Sequence, residues 1–180
     1  MKIGLYIGRF QPFHEGHRSI ITKALFECDK VIVAVGSSQE SMTEKNPFSF
    51  IQRKVLIEKC YKHYIKCGIL VVIPLPDRQN YGDDSNWGKY VLEKVYEETK
   101  LRPTVNYEGE EQCRSTWFEG LDIERVIVSR NILPYSATQV RQALREDDFD
   151  AYFRMMPVAL LSDYELLQRW LRRADYECKR

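Results

Sequence analysis

The sequence lacks several features that mark specialised classes of protein. Its 180 residues include only five cysteines, no two of them spaced as Cys-x-x-Cys, and its formal net charge is only +1. An odd number of scattered cysteines argues against a disulfide framework or a zinc knuckle and is typical of reduced thiols in the cytosol. The near-neutral charge gives no general attraction to nucleic acid or to a membrane surface.

Long apolar runs are also missing. A representative run, residues 31–35, is far too short to span a bilayer. The first residues lead directly into a strand-like pattern, so we expect no signal peptide. Together these features predict a soluble, cytoplasmic protein that binds neither a membrane nor nucleic acid.

Segments with strand-like and helix-like patterns alternate along the chain. The predicted strands are residues 2–8, 31–35, 69–73, 104–107 and 125–129. The predicted helices are residues 16–26, 50–64, 87–96, 137–144 and 164–174. This alternation predicts an α/β fold, a doubly wound parallel sheet of about five strands with helices on both faces and a helical C-terminal end.

No repeat, low-complexity segment or linker divides the chain. We therefore expect one domain over residues 1–180, with a helical C-terminal segment at about residues 148–180. In doubly wound folds, ligands bind beyond the carboxyl ends of the strands. The loops after the first, second, third and fifth strands are thus where functional residues are expected.

The loop after the first strand is the richest in chemically active side chains. Residues 8–17 read GRFQPFHEGH and bring Arg9, His14 and His17 to the start of a predicted helix. A helix N-terminus favours phosphate, and imidazole can donate hydrogen bonds to phosphate oxygens, most strongly when charged. A metal site that uses the two histidines and an ordinary surface loop remain alternatives.

This decapeptide resembles the HxGH signature of the nucleotidyltransferase superfamily, in the longer form of archaeal-type nicotinamide-nucleotide adenylyltransferases. The resemblance implies a Rossmann-like fold and transfer of AMP from ATP to nicotinamide mononucleotide, giving NAD and pyrophosphate. It also implies a homo-oligomer and Mg²⁺ bound mainly through the ATP phosphates, so we name no protein ligand for the metal. The resemblance extends over about residues 4–144.

Two further segments carry the resemblance. GSSQ at residues 36–39, NPFS at residues 46–49 and Arg53 resemble the family's GSxQ…NPF(T/S)…R segment, and YSATQVR at residues 135–141 resembles its ISxTxxR motif. The implied residues for ATP and phosphate binding are Gly8, Arg9, Phe10, His14, His17, Arg53, Ser136, Thr138 and Arg141. The implied catalytic residues among them are Arg9, His14, His17 and Arg141.

Local chemistry supports both helix starts. Ser49 and Ser136 suit the N-cap position, and Thr138 and Arg141 would lie one turn apart on the same helical face. A hydroxyl, free amides and a guanidinium that converge there would hold the β- and γ-phosphates of ATP. The ordinary alternative is a capped helix with a solvated arginine.

The acceptor side is marked less clearly. IPLPD at residues 73–77, followed by Trp87, resembles a family region whose tryptophan stacks on nicotinamide, a cation–π contact. The predicted acceptor-binding residues are Gln11, Ser37, Asp77 and Trp87. The interval from Asp77 to Trp87 is longer than in the family, and residues 107–110 (YEGE) replace its TGN-like turn. Trp87 could instead simply pack the start of a helix.

Rival functions remain open. The same chemistry could serve nicotinate mononucleotide or phosphopantetheine as acceptor or a cytidylyl donor, and the protein could be a non-catalytic nucleotide sensor. A kinase is disfavoured because the chain has no GxxxxGK(S/T) loop. An aminoacyl-tRNA synthetase is disfavoured by the short chain and the lack of a KMSK-like loop.

Overall fold

The computed structural model describes residues 1–78, 86–110, 116–129 and 134–179. Its strands are β1 (Ile3–Gly8), β2 (Lys30–Gly36), β3 (Leu70–Leu75), β4 (Val105–Gly109) and β5 (Glu124–Val128). Its helices are α1 (Glu15–Glu27), α2 (Phe50–Cys60), α3 (Lys62–Lys66), α4 (Trp87–Thr99), α5 (Ala137–Glu146), α6 (Phe149–Met155) and α7 (Tyr164–Glu177), with a 3-10 helix at Val158–Asp163.

The five strands form one parallel sheet with the order β3-β2-β1-β4-β5. Alternation along β1 directs Tyr6 to one face and Leu5 and Ile7 to the other. The first face packs against α1, α2 and α5, whereas the second packs against Val91 and Val95 of α4. These observations confirm the predicted doubly wound sheet with helices on both faces and a helical C-terminal end.

The chain order reverses next to β1. From β1 the sheet grows outward through β2 to β3, and the chain then returns to add β4 on the other side of β1. A reversal of this kind opens a crevice at the carboxyl ends of the two central strands, where ligands of such folds bind. The loop that follows β1 lies at this crevice.

The third strand extends further than predicted. We expected it to end at Ile73, but β3 continues through Pro74 to Leu75, and Pro74 pairs with Val35 of β2. Because β3 is at the edge of the sheet, a residue without an amide N–H is tolerated there.

The predicted helix over residues 50–64 is interrupted at Tyr61, which separates α2 from α3. The sequence pattern predicts an apolar stripe along this helix. Leu56 and Tyr61 of that stripe are buried as expected, but Ile51 and Val55 are 63% and 49% exposed. The prediction was wrong for Ile51 and Val55 because the inner face begins with a fully buried arginine, Arg53, followed one turn later by Leu56. Within the described ranges, no helix is long and apolar enough to cross a membrane.

Candidate active site

A cavity of about 610 Å³ opens at the carboxyl end of β1, between the first turns of α1 and α5. Its volume is within the range of sites for small molecules and cofactors. The described residues that line it are Tyr6, Gly8, Arg9, Phe10, Gln11, His14, His17, Lys45, Ser136, Ala137, Thr138 and Arg141. The structure thus brings together all the predicted ATP-binding residues except Arg53.

His14 is the N-cap of α1, and its Nδ1 accepts a hydrogen bond of 3.1 Å from the amide of Gly16. Nδ1 therefore carries no proton, so the imidazole is neutral with its proton on Nε2. The close approach requires glycine, because a Cβ at Gly16 would lie 2.9 Å from Cε1 of His14. This arrangement differs from the charged imidazole that we expected to be the stronger donor.

His17 lies one turn further along α1 and packs against His14, with 3.8 Å between the ring centroids. Both side chains are buried, and Phe10 and Phe13 contact the His17 ring at centroid distances of 4.8 and 5.9 Å. Two positive charges this close in a partly apolar setting would repel each other strongly. The packing therefore favours at most one charged imidazole in the pair.

Gly8 and Phe10 shape the floor of the cavity. Phe10 has a left-handed φ of 51° and is 1% exposed. Its ring covers Gly8, where a Cβ would lie 2.9 Å from the ring. Glycine at the end of β1 thus allows the Phe10 ring to reach His17.

The start of α5 forms the opposite wall. Ser136 Oγ accepts from the amide of Gln139 at 3.3 Å, and Gln139 Oε1 accepts from the amide of Ser136 at 2.8 Å. This capping box leaves the next two amides, those of Ala137 and Thr138, without an intrahelical acceptor. Both residues line the cavity, so α5 offers its free amides and the positive end of its dipole to a ligand.

Arg141 reaches into the same wall. Its Nη1 donates to the carbonyl of Gln11 at 2.7 Å, and its Nη2 donates to Thr138 Oγ1 at 3.3 Å. Its Nε is buried and has no hydrogen-bond partner among the described residues. Burial lowers the pKa of Arg141, and the charges of Arg145 and Arg9 lower it further. A buried N–H without an acceptor is costly, so this group marks a position where an anionic ligand would be favourable.

Arg53 has a different environment from the one we expected. It is fully buried, lies outside the cavity lining and donates to the four carbonyls of Arg9, Gly36, Ser37 and Ser49 at 2.7–3.2 Å. Burial lowers its pKa to about 10. Its guanidinium ties the ends of β1 and β2 to the start of α2.

Gln11 also makes internal contacts. Its Nε2 donates to the carbonyl of Phe48 at 2.9 Å, and its Oε1 accepts from the amide of Phe48 at 2.9 Å. Through these bonds Gln11 holds the loop that precedes α2, and through its own carbonyl it holds Arg141. Its side-chain amide is therefore engaged on both sides by the protein.

The other predicted acceptor residues lie outside the lining of this cavity. Ser37 has a left-handed φ of 47° at the end of β2, and Asp77 is bound to Gln39 through two hydrogen bonds of 3.0 Å. Trp87 begins α4 and packs against the ring of Trp117, with centroids 5.9 Å apart. Its Nε1 is buried without a hydrogen-bond partner in the parts of the chain that the structure describes.

Glu108 occupies the segment that departs from the family's turn. It is 3% exposed and accepts two hydrogen bonds from Arg125, at 3.0 and 2.8 Å. Asn106 donates a third hydrogen bond at 2.7 Å. The carboxylate is therefore neutralised within the sheet by an arginine of β5 that the sequence analysis did not single out.

Three lining residues were not predicted, namely Tyr6, Lys45 and Ala137. Tyr6 is within β1 and reads as an ordinary core residue in the sequence. Lys45 immediately precedes the NPFS segment, and this place in the sequence was the signal that could have identified it as a site residue.

Comparison with known proteins agrees with the geometry. A sequence model of the cytidylyltransferase-like family matches residues 5–143. The nicotinamide-nucleotide adenylyltransferase of Thermococcus sibiricus is 32% identical over 145 residues, or 80% of this chain and 74% of that protein. The protein of the same name from Saccharolobus solfataricus is 45% identical over 78 residues, which are 43% of this chain and 45% of that protein. The one from Methanolobus tindarius is 40% identical over 97 residues, which are 51% of this chain and 50% of that protein. In the last two cases the match spans about half of the relative's length.

Solved structures share the fold of this chain. A bifunctional NMN adenylyltransferase/ADP ribose pyrophosphatase from Francisella tularensis, complexed with AMP and a manganese ion, is 27% identical with a TM-score of 0.72. The match covers 97% of this chain and 53% of that one. Thermotoga maritima TmcAL bound with α-thio ATP is 15% identical with a TM-score of 0.62, and the match covers 96% of this chain and 56% of that one. At this identity the similarity shows a shared fold alone. The comparisons confirm the resemblance drawn from the motifs.

Proposed function

Because the chain belongs to the cytidylyltransferase-like family, we propose that it transfers AMP from ATP to nicotinamide mononucleotide, forming NAD and releasing pyrophosphate. The observation that carries this proposal is the convergence of two helix N-termini, a histidine pair and the buried Nε of Arg141 on one cavity. The relatives named nicotinamide-nucleotide adenylyltransferase support the choice of reaction and acceptor.

In this proposal the cavity holds the triphosphate of ATP. Both histidines lie at the α- and β-phosphates. His14 donates a hydrogen bond from Nε2 to a phosphate oxygen, and His17 lies beside it. The amides at the start of α5 and the guanidinium of Arg141 bind the phosphates that leave, so that Arg141 Nε gains the acceptor it lacks. Arg9 adds a positive charge at the mouth, where its side chain forms no hydrogen bond or ion pair with other described residues.

The chemical step needs no nucleophile from the protein. A 5′-phosphate oxygen of the mononucleotide attacks the α-phosphorus of ATP, the bond to the bridging oxygen breaks, and its electron pair leaves with pyrophosphate. Catalysis then depends on positioning and on neutralising the charge that moves to the leaving group. A neutral His14 suits this role because it donates a hydrogen bond without giving up its proton.

A divalent cation is expected to accompany ATP. The described residues that line the cavity include no carboxylate, and no cluster of three or more metal-binding side chains occurs among the described residues. This lining fits an ion, Mg²⁺ in our proposal, that is held by phosphate oxygens and water. When bound, the ion would supply Lewis-acid neutralisation of the phosphate charge.

The remaining predicted residues receive different roles. We assign Arg53 and Gln11 to positioning, because the side chains of both bind the loops that carry the site. We assign the acceptor side to Ser37, Asp77 and Trp87, at the ends of β2 and β3 and the start of α4. We also propose that the enzyme is cytoplasmic and forms a homo-oligomer.

Pyrophosphate release by the purified protein tests the proposal. ATP and Mg²⁺ are supplied with no acceptor, nicotinamide mononucleotide, nicotinate mononucleotide or phosphopantetheine, and CTP replaces ATP in a parallel series. We expect release to depend on nicotinamide mononucleotide and to match NAD formation. Release only with another acceptor or with CTP would refute the proposed substrates, and ATP binding without release in any mixture would indicate a sensor.

A further inference from the structure

Lys45 is a cation of the cavity wall to which neither the motifs nor the resemblance gives a role. It lies in the loop between β2 and α2 and is exposed at the cavity. Lys45 forms no hydrogen bond or ion pair with any other described residue. Its ammonium group is therefore available to a bound ligand.

The backbone that carries Lys45 is firmly held. The next residue, Asn46, is 3% exposed, and its amide donates to Thr43 Oγ1 at 3.0 Å. Its side chain donates to Glu40 and lies within 3.5 Å of the Gln11 amide. On the far side of the loop, the carbonyl of Met42 accepts from the thiol of Cys178 at 3.0 Å. Lys45 thus extends a flexible side chain from a fixed base.

The same loop faces the α5 side of the cavity. The carboxylate of Glu44 is close enough to Arg141 to oppose the lowering of its pKa by burial. Lys45 follows directly in the sequence and lines the same cavity as the wall formed by Thr138 and Arg141. The terminal phosphates of ATP are assigned to this wall.

We infer that Lys45 is a further phosphate ligand that contacts the β- and γ-phosphates of ATP and stays with them as pyrophosphate leaves. The inference rests on the proposed function of the cavity. The helix amides and the Arg141 fork are fixed donors, whereas the lysine ammonium is a point charge on a flexible stem. It can follow the leaving group while the bond to the α-phosphorus breaks and the electron pair moves to pyrophosphate, without any proton transfer.

Ligand binding separates this role from a general charge effect. We would measure the affinities of ATP, inorganic tripolyphosphate and AMP, each with Mg²⁺, for the wild-type protein and for Lys45→Ala and Lys45→Arg. Lys66→Ala is the matched control, because Lys66 is an exposed lysine of α3 outside the cavity.

We expect Lys45→Ala to weaken ATP and tripolyphosphate about 10–100-fold, the effect of one charge-assisted hydrogen bond. AMP lacks the β- and γ-phosphates, so Lys45→Ala should change the affinity for AMP less than about twofold. Lys45→Arg should retain most of the affinity, and Lys66→Ala should behave as wild type.

Several results would overturn the role of Lys45. They are unchanged polyphosphate affinity in Lys45→Ala, an equal loss in Lys66→Ala, an equal loss for AMP, and a wild-type protein that binds no polyphosphate. Failure of the proposed function would look different. Wild-type protein would then bind ATP, and lose that binding in Lys45→Ala, but form no dinucleotide with any acceptor.

Discussion

Arg53 of α2 and Arg141 of α5 follow nearly identical helix starts and have opposite environments. Both helices begin with a serine N-cap and a glutamine three residues later, and the two capping boxes have the same bond lengths of 3.3 and 2.8 Å. Arg53 donates to four main-chain carbonyls, whereas Arg141 retains a buried Nε without an acceptor among the described residues.

A difference of one residue in register separates the two. Arg53 is the fourth residue after its N-cap, and the residue at that position of α5 is Val140, which is equally buried at 0% exposure. Arg141 is the fifth, rotated by about 100° around the helix axis. The fourth position of each helix thus faces the interior, and the fifth position of α5 faces the cavity. A motif that specifies only an arginine after a capped start does not distinguish a structural arginine from a ligand-binding one.

The largest predicted effect is on folding, in Arg53→Met. Removing the guanidinium leaves buried carbonyls without donors, and each such group costs about 1–3 kcal/mol, so the free energy of unfolding should fall by about 3–5 kcal/mol. Urea denaturation measures this change. Arg53→Lys keeps the charge but loses the planar fork, so its free energy of unfolding should lie between those of the wild-type protein and Arg53→Met. Unchanged stability together with lost ATP affinity would make Arg53 a phosphate ligand after all.

Arg141→Ala should affect activity instead. We expect kcat/KM for ATP to fall about 10²–10³-fold, as for loss of a donor to developing charge, with a change in stability of no more than about 1 kcal/mol. Arg145→Ala is the control on the same helix, since Arg145 forms an ion pair with Asp175 away from the cavity lining. The comparison of the two helices fails if Arg141→Ala is as unstable as Arg53→Met and retains turnover.

The smallest effects are predicted for the caps. Ser49→Ala and Ser136→Ala should each lower the free energy of unfolding by about 1 kcal/mol, the usual cost of losing an N-cap. Only Ser136→Ala should also raise KM for ATP, because Ser136 lines the cavity and orients the amides of α5. Thermal denaturation and initial rates measure the two effects. An equal rise of KM in both variants would indicate that α2 binds ATP directly.

The fold could be predicted because its central strands are buried on both faces. Uniformly apolar runs such as residues 31–35 have few other stable arrangements, and the helices between them fixed the class. The first loop and the start of α5 were also predictable. Their serine, glycine and histidine residues have local conformational or capping preferences that do not depend on distant contacts.

The role of Arg53 could not be predicted in the same way. Hydrophobic periodicity assigns the inner face of a helix to apolar residues, so Ile51 and Val55 were wrongly added to the buried Leu56 and Tyr61. Arg53, a charged residue, was left out of that face. Arg53 is stable inside only because four carbonyls from three separate segments surround it, and that arrangement depends on tertiary structure. Gln11 and Lys45 are similar cases, since their roles depend on how the loop before α2 folds over the cavity.

The most direct test of adenylyl transfer follows the individual phosphates of ATP. The protein is incubated with Mg²⁺, nicotinamide mononucleotide and ATP labelled at either the α- or the γ-phosphorus. Our account predicts that the α label enters NAD while an equal amount of γ label enters pyrophosphate, and that both depend on the mononucleotide. Transfer of the γ label to the mononucleotide, or release of ADP, would contradict attack at the α-phosphorus and with it the assignment of the cavity.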